Sequence, residues 1–203
     1  MNQVREQSTA KASLRKRGGL FYDKESHVEE KLIMNVKDMD AALLRIAKEI
    51  VAAGTDGVAL VGIRTRGVPL ADWLARKIEK VQKKPIDTGV LDINLYRDDL
   101  SEVAEQPLVK PTELPFSVTG RGIILIDDVL YTGRTIRAAM DALIDYGRPK
   151  FIRLMVMIDR GWREFPIQAD YIGKKVKTDA DQIIKVMLES IDGENKVIVK
   201  RKI

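Results

Sequence analysis

Cysteine is absent and histidine occurs once, at His27. Disulfides and thiolate chemistry are thereby excluded, and a metal would have to be held by oxygen ligands or by that one imidazole, which points to Mg²⁺. Long apolar runs are missing too: none approaches the roughly 18 residues of a membrane span, and the basic N-terminus is not followed by an apolar stretch and a cleavage site. The expectation is a soluble, cytoplasmic protein. The body also lacks a strong charge, although the chain carries a net +5. Five bases against Glu6 in residues 1–22 and three bases from Lys200 to Lys202 supply an excess of +7, so residues 23–199 carry about −2. The pI of 9.3 therefore describes two tails, and as evidence for nucleic-acid binding it is weak.

What is present suits one domain: 203 residues, 45% of them apolar, are enough to bury a core. Residues 1–24 mix Gln, Ser, Lys and Arg with no apolar period, which predicts a disordered basic tail ahead of a domain over 25–203. From Asp38, the spacing of Met39, Leu43, Ile46, Ala47 and Ile50 predicts an amphipathic helix stopped by Gly54. The apolar run from Gly57 to Ile63 predicts a strand buried on both faces. A second helix is expected from about Val68 to Val81, and a half-exposed strand from Ile86 to Tyr96. The polar stretch from Arg97 to Gly120 reads as a long loop, a length uncommon except in lids. Gly122 to Ile126 reads as another buried strand, followed by a helix carrying Ile136, Ala139, Met140 and Leu143 on one face, then a strand from Phe151 to Ile158. Two apolar runs around the turn-rich Asp192 to Asn195 predict a terminal hairpin. Alternating strands and helices make this a doubly wound α/β fold with a mainly parallel sheet, whose ligand belongs at the carboxyl ends of the strands.

At one such strand end stand Asp127 and Asp128, then Thr132, Gly133, Arg134 and Thr135 at the start of a helix. A helix N-terminus preceded by glycine and hydroxyl residues offers N–H groups and a positive dipole end to a phosphate. Two adjacent carboxylates can accept hydrogen bonds from the vicinal hydroxyls of a ribose. Taken singly, Asp128 and Thr132 would serve as helix caps and Gly133 as a turn residue. Four apolar residues, two acids, three of any type, Thr, Gly, any, Thr is a different matter, since chance supplies it about once in 10⁵ chains. A sugar phosphate satisfies both halves of the pattern.

In these residues the chain resembles the type I phosphoribosyltransferases, and the wording of Asp127 to Thr135 resembles the PyrR family of pyrimidine operon regulators with uracil phosphoribosyltransferase activity. The resemblance spans about Leu32 to Val199. It implies that Asp127 and Asp128 hold the ribose of phosphoribosyl pyrophosphate (PRPP) while Thr132, Gly133, Arg134 and Thr135 cradle its 5-phosphate. Tyr131 stands where purine enzymes have an acid, which favours a pyrimidine. Arg64, Thr65, Arg66 and Gly67 match the pyrophosphate loop; without the resemblance they would read as solvated surface. Leu95 to Leu100 match the flexible lid, with Arg97 contacting pyrophosphate and serving catalysis beside the two acids; the alternative is a charged surface loop. Asp159 to Gly161 and Pro166 to Lys174 resemble a small hood that reads the base through Tyr171 and Ile172, against the alternative of a buried core tyrosine.

The implied reaction joins uracil to PRPP to give UMP and pyrophosphate, with Mg²⁺ carried mainly on PRPP or pyrophosphate and no direct side-chain ligation. A transferase for another base is the alternative. The resemblance also implies UMP-dependent binding of pyrimidine operon leader RNA, with Arg45, Lys48 and Arg163 as candidate contacts. Here the match weakens: Trp162 and Gln168 replace a histidine and an arginine of the family pattern, and Leu44 and Lys48 replace a threonine and a histidine. Homodimers or larger assemblies are usual in the family, and Trp73 and Trp162 are the candidate contacts.

Overall fold

A computed structural model describes residues 30–96 and 111–201. The expected tail over 1–24, His27 and the lid residue Arg97 lie outside the described residues.

Strand β1, Lys31–Met34, leads into helix α1, Val36–Ala52. The helix starts two residues earlier than its apolar period suggests because Asn35 caps it. The Asn35 side chain accepts the N–H of Lys37 at 2.8 Å and of Asp38 at 3.1 Å, and Asp38 accepts the Asn35 N–H at 3.0 Å. Met39, Leu43, Ile46, Ala47 and Ile50 are buried, as their spacing predicts. Strand β2, Val58–Ile63, is buried at every residue, and helix α2, Gly67–Gln82, follows it.

Strand β3 covers only Asp87–Leu91 of the expected Ile86 to Tyr96. Asp92 ends it by accepting the Asn94 N–H at 2.8 Å, and Asn94–Tyr96 coil into a 3₁₀ turn. Strand β4, Gly122–Leu130, is longer than its apolar run and carries the acid pair inside it, because β5, Phe151–Asp159, pairs with it as far as Leu130. Helix α3, Arg134–Ile144, lies between them. Strand β6, Tyr171–Lys175, is followed by β7, Gln182–Met187, the short helix α4, Glu189–Asp192, and β8, Lys196–Arg201.

The central sheet is parallel throughout, in the order β3-β2-β4-β5-β6. Ile124, Ile126, Met155 and Met157 pack with α1 and α2, while Ile123, Leu125, Leu154 and Val156 pack with α3. Burial on both faces is why these strands read as continuous apolar runs. The expected hairpin is β7 and β8, and β1 joins it to make a three-stranded antiparallel sheet in the order β1-β8-β7. Val186, Val197 and Val199 tie this second sheet into the α1/α2 core. No helix of the described residues is long and apolar enough to cross a membrane.

Candidate active site

The acid pair sits near the carboxyl end of β4, between the first turn of α2 and the N-terminus of α3. Asp127 is buried and its carboxylate accepts the Asp128 N–H at 2.9 Å; Asp128 accepts the Val129 N–H at 2.8 Å. Burial pushes the Asp128 carboxyl above its ordinary value, and the Val129 N–H, the Arg66 charge and Asp127 offset this only in part. An acid kept here, where its charge is disfavoured, gains most from a ligand that donates hydrogen bonds to it.

Beyond Leu130 the chain turns through Tyr131 and Thr132 to Gly133, whose φ of 95° lies in the region open to glycine. The first N–H groups of α3, which follow that turn, have no intrahelical acceptors. The loop is braced from one side: Thr132 O accepts the N–H of Glu164 at 2.9 Å and of Phe165 at 3.0 Å. Arg134 bonds Glu164 at 2.7 Å and its guanidinium lies 5.3 Å from the centre of the Phe165 ring. The Arg134 side chain is thus engaged within the loop, and its N–H reaches Thr132 Oγ1 at 3.4 Å.

The loop from Arg64 to Gly67 is brought to the same place. Its Arg64–Thr65 peptide bond is cis. A Cβ on Gly67 would lie 2.2 Å from the Ile126 carbonyl oxygen, so the loop touches the strand residue that precedes Asp127. Arg66 donates to Val186 O at 2.8 Å and to both Asp192 oxygens, at 2.9 and 3.2 Å, tying the loop to the antiparallel sheet. Desolvation raises the Asp192 carboxyl, but the Leu188 N–H, Arg66 and Lys185 outweigh it and hold the group below its ordinary value. Arg64 donates to Pro111 O and Glu113, each at 3.0 Å. Glu113 forms a bridge with Val90, which stitches the returning end of the long loop to β3. The departing end is held by Tyr96, whose hydroxyl donates to Asp145 after α3.

Two sets of expected residues are not brought to this cleft. Tyr171 is the core tyrosine of the alternative reading: it is 8% exposed, packs among Met34, Met39 and Met155, and its hydroxyl meets Arg153 at 3.1 Å, toward the amino ends of the strands. The carbonyl of Ile172 is taken by Arg45 at 2.6 Å. Of the segments expected as a hood, Asp159 ends β5 and Tyr171 to Lys174 lie in edge strand β6 of the main sheet, and the separate small sheet is β1, β7 and β8. Among the candidate RNA contacts, Arg163 is an internal brace that donates to Tyr131 O at 2.8 Å, Gly161 O at 3.0 Å, Ile167 O at 2.9 Å and Asp159 at 2.6 Å. Arg45 bonds Glu49 and β6, and Lys48 is exposed on α1. Trp73 is half-buried with its indole on Asp40, while Trp162 is 53% exposed.

Sequence reasoning set Arg160 within the expected hood but gave its side chain no contact; its guanidinium lies 4.2 Å from the centre of the Tyr131 ring. It stands within the stretch that resembles the family, but burial of a cation leaves no mark on periodicity. Asp192 and Glu113 were missed for a similar reason, since each lies far along the chain from the arginine it holds.

The phosphoribosyl transferase domain family matches residues 33–192. Among curated proteins, the bifunctional protein PyrR of Thermus aquaticus is 56% identical over 167 residues, 81% of this chain and 92% of that protein. The bifunctional protein PyrR of Clostridioides difficile is 50% identical over 175 residues, 85% of this chain and 99% of that one. Among solved structures, a hypoxanthine phosphoribosyltransferase from Staphylococcus aureus is 16% identical, covers 85% of this chain and 92% of its own, and has a TM-score of 0.64, a likeness of fold alone. With a domain match across most of its length and relatives at half identity or more, this chain belongs to the PyrR family of phosphoribosyl transferase domain proteins.

Proposed function

We propose that this protein transfers the phosphoribosyl group of PRPP to uracil, releasing pyrophosphate and forming UMP. The observation that carries the reading is the placement of Asp127 and Asp128 on β4 directly ahead of the Gly133 turn and the N-terminus of α3. In this reading the two carboxylates accept the ribose hydroxyls, and the first N–H groups of α3 take the 5-phosphate. The loop from Arg64 to Gly67 lies against β4 on the side where the diphosphate at C1 would leave.

The bond from C1 to the diphosphate oxygen breaks, the bond from C1 to N1 of uracil forms, and the N1 proton passes to solvent. Positive charge develops on the ribose during this exchange, so alignment and charge placement matter more than a covalent nucleophile. Among the described residues no group of three acidic, histidine or cysteine side chains could hold a metal ion unaided. The oxygen donors of Asp127 and Asp128 would suit a hard cation held mainly by the diphosphate and by the ribose hydroxyls. Mg²⁺ bound there supplies neutralisation of the leaving diphosphate.

Pyrophosphate release measured with uracil, orotate, hypoxanthine and guanine in turn tests the reading. Uracil should be the preferred acceptor, and preference for another base would reassign the substrate. Arg97 belongs to the proposed lid, so Arg97→Ala should lower kcat by about 10²-fold while the thermal unfolding midpoint holds. Unchanged turnover in that variant removes Arg97 from the chemistry.

A second activity is favoured by the relatives' printed name, bifunctional. On this reading the protein, a cytoplasmic homodimer or larger assembly, also binds pyrimidine leader RNA in a UMP-dependent manner. Lys48 and the outer face of α1 are the surface offered, with Arg45 beside it and Arg163 set aside as a brace. Gel-shift titration at several salt concentrations checks this: retardation that depends on UMP supports it, and salt-sensitive binding indifferent to UMP counts against it.

A further inference from the structure

Arg160 follows β5 at the carboxyl edge of the sheet and is 6% exposed. A buried guanidinium ordinarily has a carboxylate beside it, but the neighbouring acid, Asp159, is occupied by Arg163 at 2.6 Å and by the Gly161 N–H at 3.0 Å. Arg160 instead donates from Nε to Thr178 Oγ1 at 3.1 Å and from one terminal nitrogen to Asp179 O at 3.4 Å. Its other terminal nitrogen has no protein acceptor among the described residues. That nitrogen is not sealed in either, because Arg64 Nε is the sole buried, unpartnered side-chain nitrogen or oxygen among them. The guanidinium lies over the Tyr131 ring, 4.2 Å from its centre, and Tyr131 is 37% exposed and directly precedes Thr132 and Gly133. Desolvation holds the Arg160 guanidinium below its ordinary value.

A terminal nitrogen with both N–H groups unused, set beside an aromatic wall, suits a flat ring that carries a carbonyl acceptor. The helix N-terminus of α3 already provides the anion site. Resting on the reading of the site as a base transferase, we propose that Arg160 selects the base. An N–H of its free terminal nitrogen donates to a ring carbonyl while Tyr131, beneath the guanidinium, stands beside the base. An oxo-pyrimidine then satisfies the donor, whereas a ring that presents an amino group at that point sets donor against donor.

Kinetics of pyrophosphate release separate this from a merely structural role. Arg160→Gln should raise the KM for uracil by about 10- to 100-fold and leave the KM for PRPP within about twofold, a split expected when one charge-assisted hydrogen bond to the base is lost. Its preference for uracil over cytosine should fall by a similar factor. Thr178→Ala removes the Nε acceptor yet keeps the guanidinium, and its KM for uracil should stay within about threefold of wild type. A Thr178→Ala enzyme as impaired as Arg160→Gln would make Arg160 a brace for the β6–β7 turn and overturn the proposal. So would a folded Arg160→Gln enzyme with the wild-type KM and preference. Should that variant not fold, the wild-type enzyme decides the matter with 2-thiouracil and 4-thiouracil. Sulfur is the weaker acceptor, so at least one should show a KM about tenfold above that of uracil, and equal values for all three would overturn the assignment. Wild-type enzyme that releases no pyrophosphate with uracil would instead remove the transferase reading beneath it.

Discussion

Asp128→Asn lowers kcat/KM for PRPP by about 10³-fold, on the estimate that two hydrogen bonds to a charged acceptor are worth about 1.5–3 kcal/mol each. The amide keeps the shape of the side chain but puts a donor where a ribose hydroxyl also donates. Stability should not fall with activity. Burial holds the Asp128 carboxyl above its ordinary value of 3.8, so in the free protein its ionisation opposes folding as pH rises through that range. Removing the charge relieves this, and the variant should unfold at or above the wild-type temperature at neutral pH. Ligand binding has the opposite pH dependence. The ribose needs the anion, so affinity for UMP with Mg²⁺ is present above the raised value and is lost as pH falls through it, at a higher pH than for an ordinary aspartate. Calorimetric titration across that range should show this acid limb in wild type and not in Asp128→Asn. Wild-type kinetics in the variant would take the ribose away from Asp128.

The parts of the site legible in the sequence are those written in local pattern. The helical period of Met39 to Ile50, the buried run into Ile63 and the acid pair ahead of a Gly133 turn all depend on neighbours close along the chain. Strand β1 was not legible, because four residues with a single buried one carry no period. The extension of β4 through Asp127 and Asp128 ran against the poor strand preference of aspartate and is imposed by pairing with β5. Arginine direction was the largest gap. The sequence shows positive charge at Arg45, Arg66 and Arg163, but the carbonyls of Ile172, Val186 and Tyr131 that turn those side chains inward are set by the tertiary fold. Tyr171 shows the same limit, since its residue type suits a base wall and a core equally well and only burial decides between them.

Gly67→Ala should damage stability and PRPP use together, for a reason that lies outside the sequence motif. Gly67 opens α2 with no left-handed backbone angle, so a conformational argument does not apply to it. Space is the constraint. The added Cβ would stand 2.2 Å from the Ile126 carbonyl oxygen, and on the facing strand a Cβ at Gly62 would stand 2.6 Å from Val68 Cα. Both obstacles are backbone, so no side-chain rotation relieves them, and α2 must move off β4. Overpacking of this kind typically costs about 1–3 kcal/mol, and contact with main chain on a buried strand belongs at the upper end. Because Ile126 precedes Asp127, the displacement is passed directly to the acid pair, and kcat/KM for PRPP should fall by about 10²-fold beyond what partial unfolding explains. Gly57→Ala is the control: its φ of 67° carries backbone strain, but nothing lies within 4 Å of the added Cβ, and the site is remote. It should lose about 1 kcal/mol in denaturant titrations and retain wild-type kinetics. If Gly67→Ala proves no less stable than Gly57→Ala and equally active, the close approach of the loop from Arg64 to Gly67 to β4 is not what positions the acids.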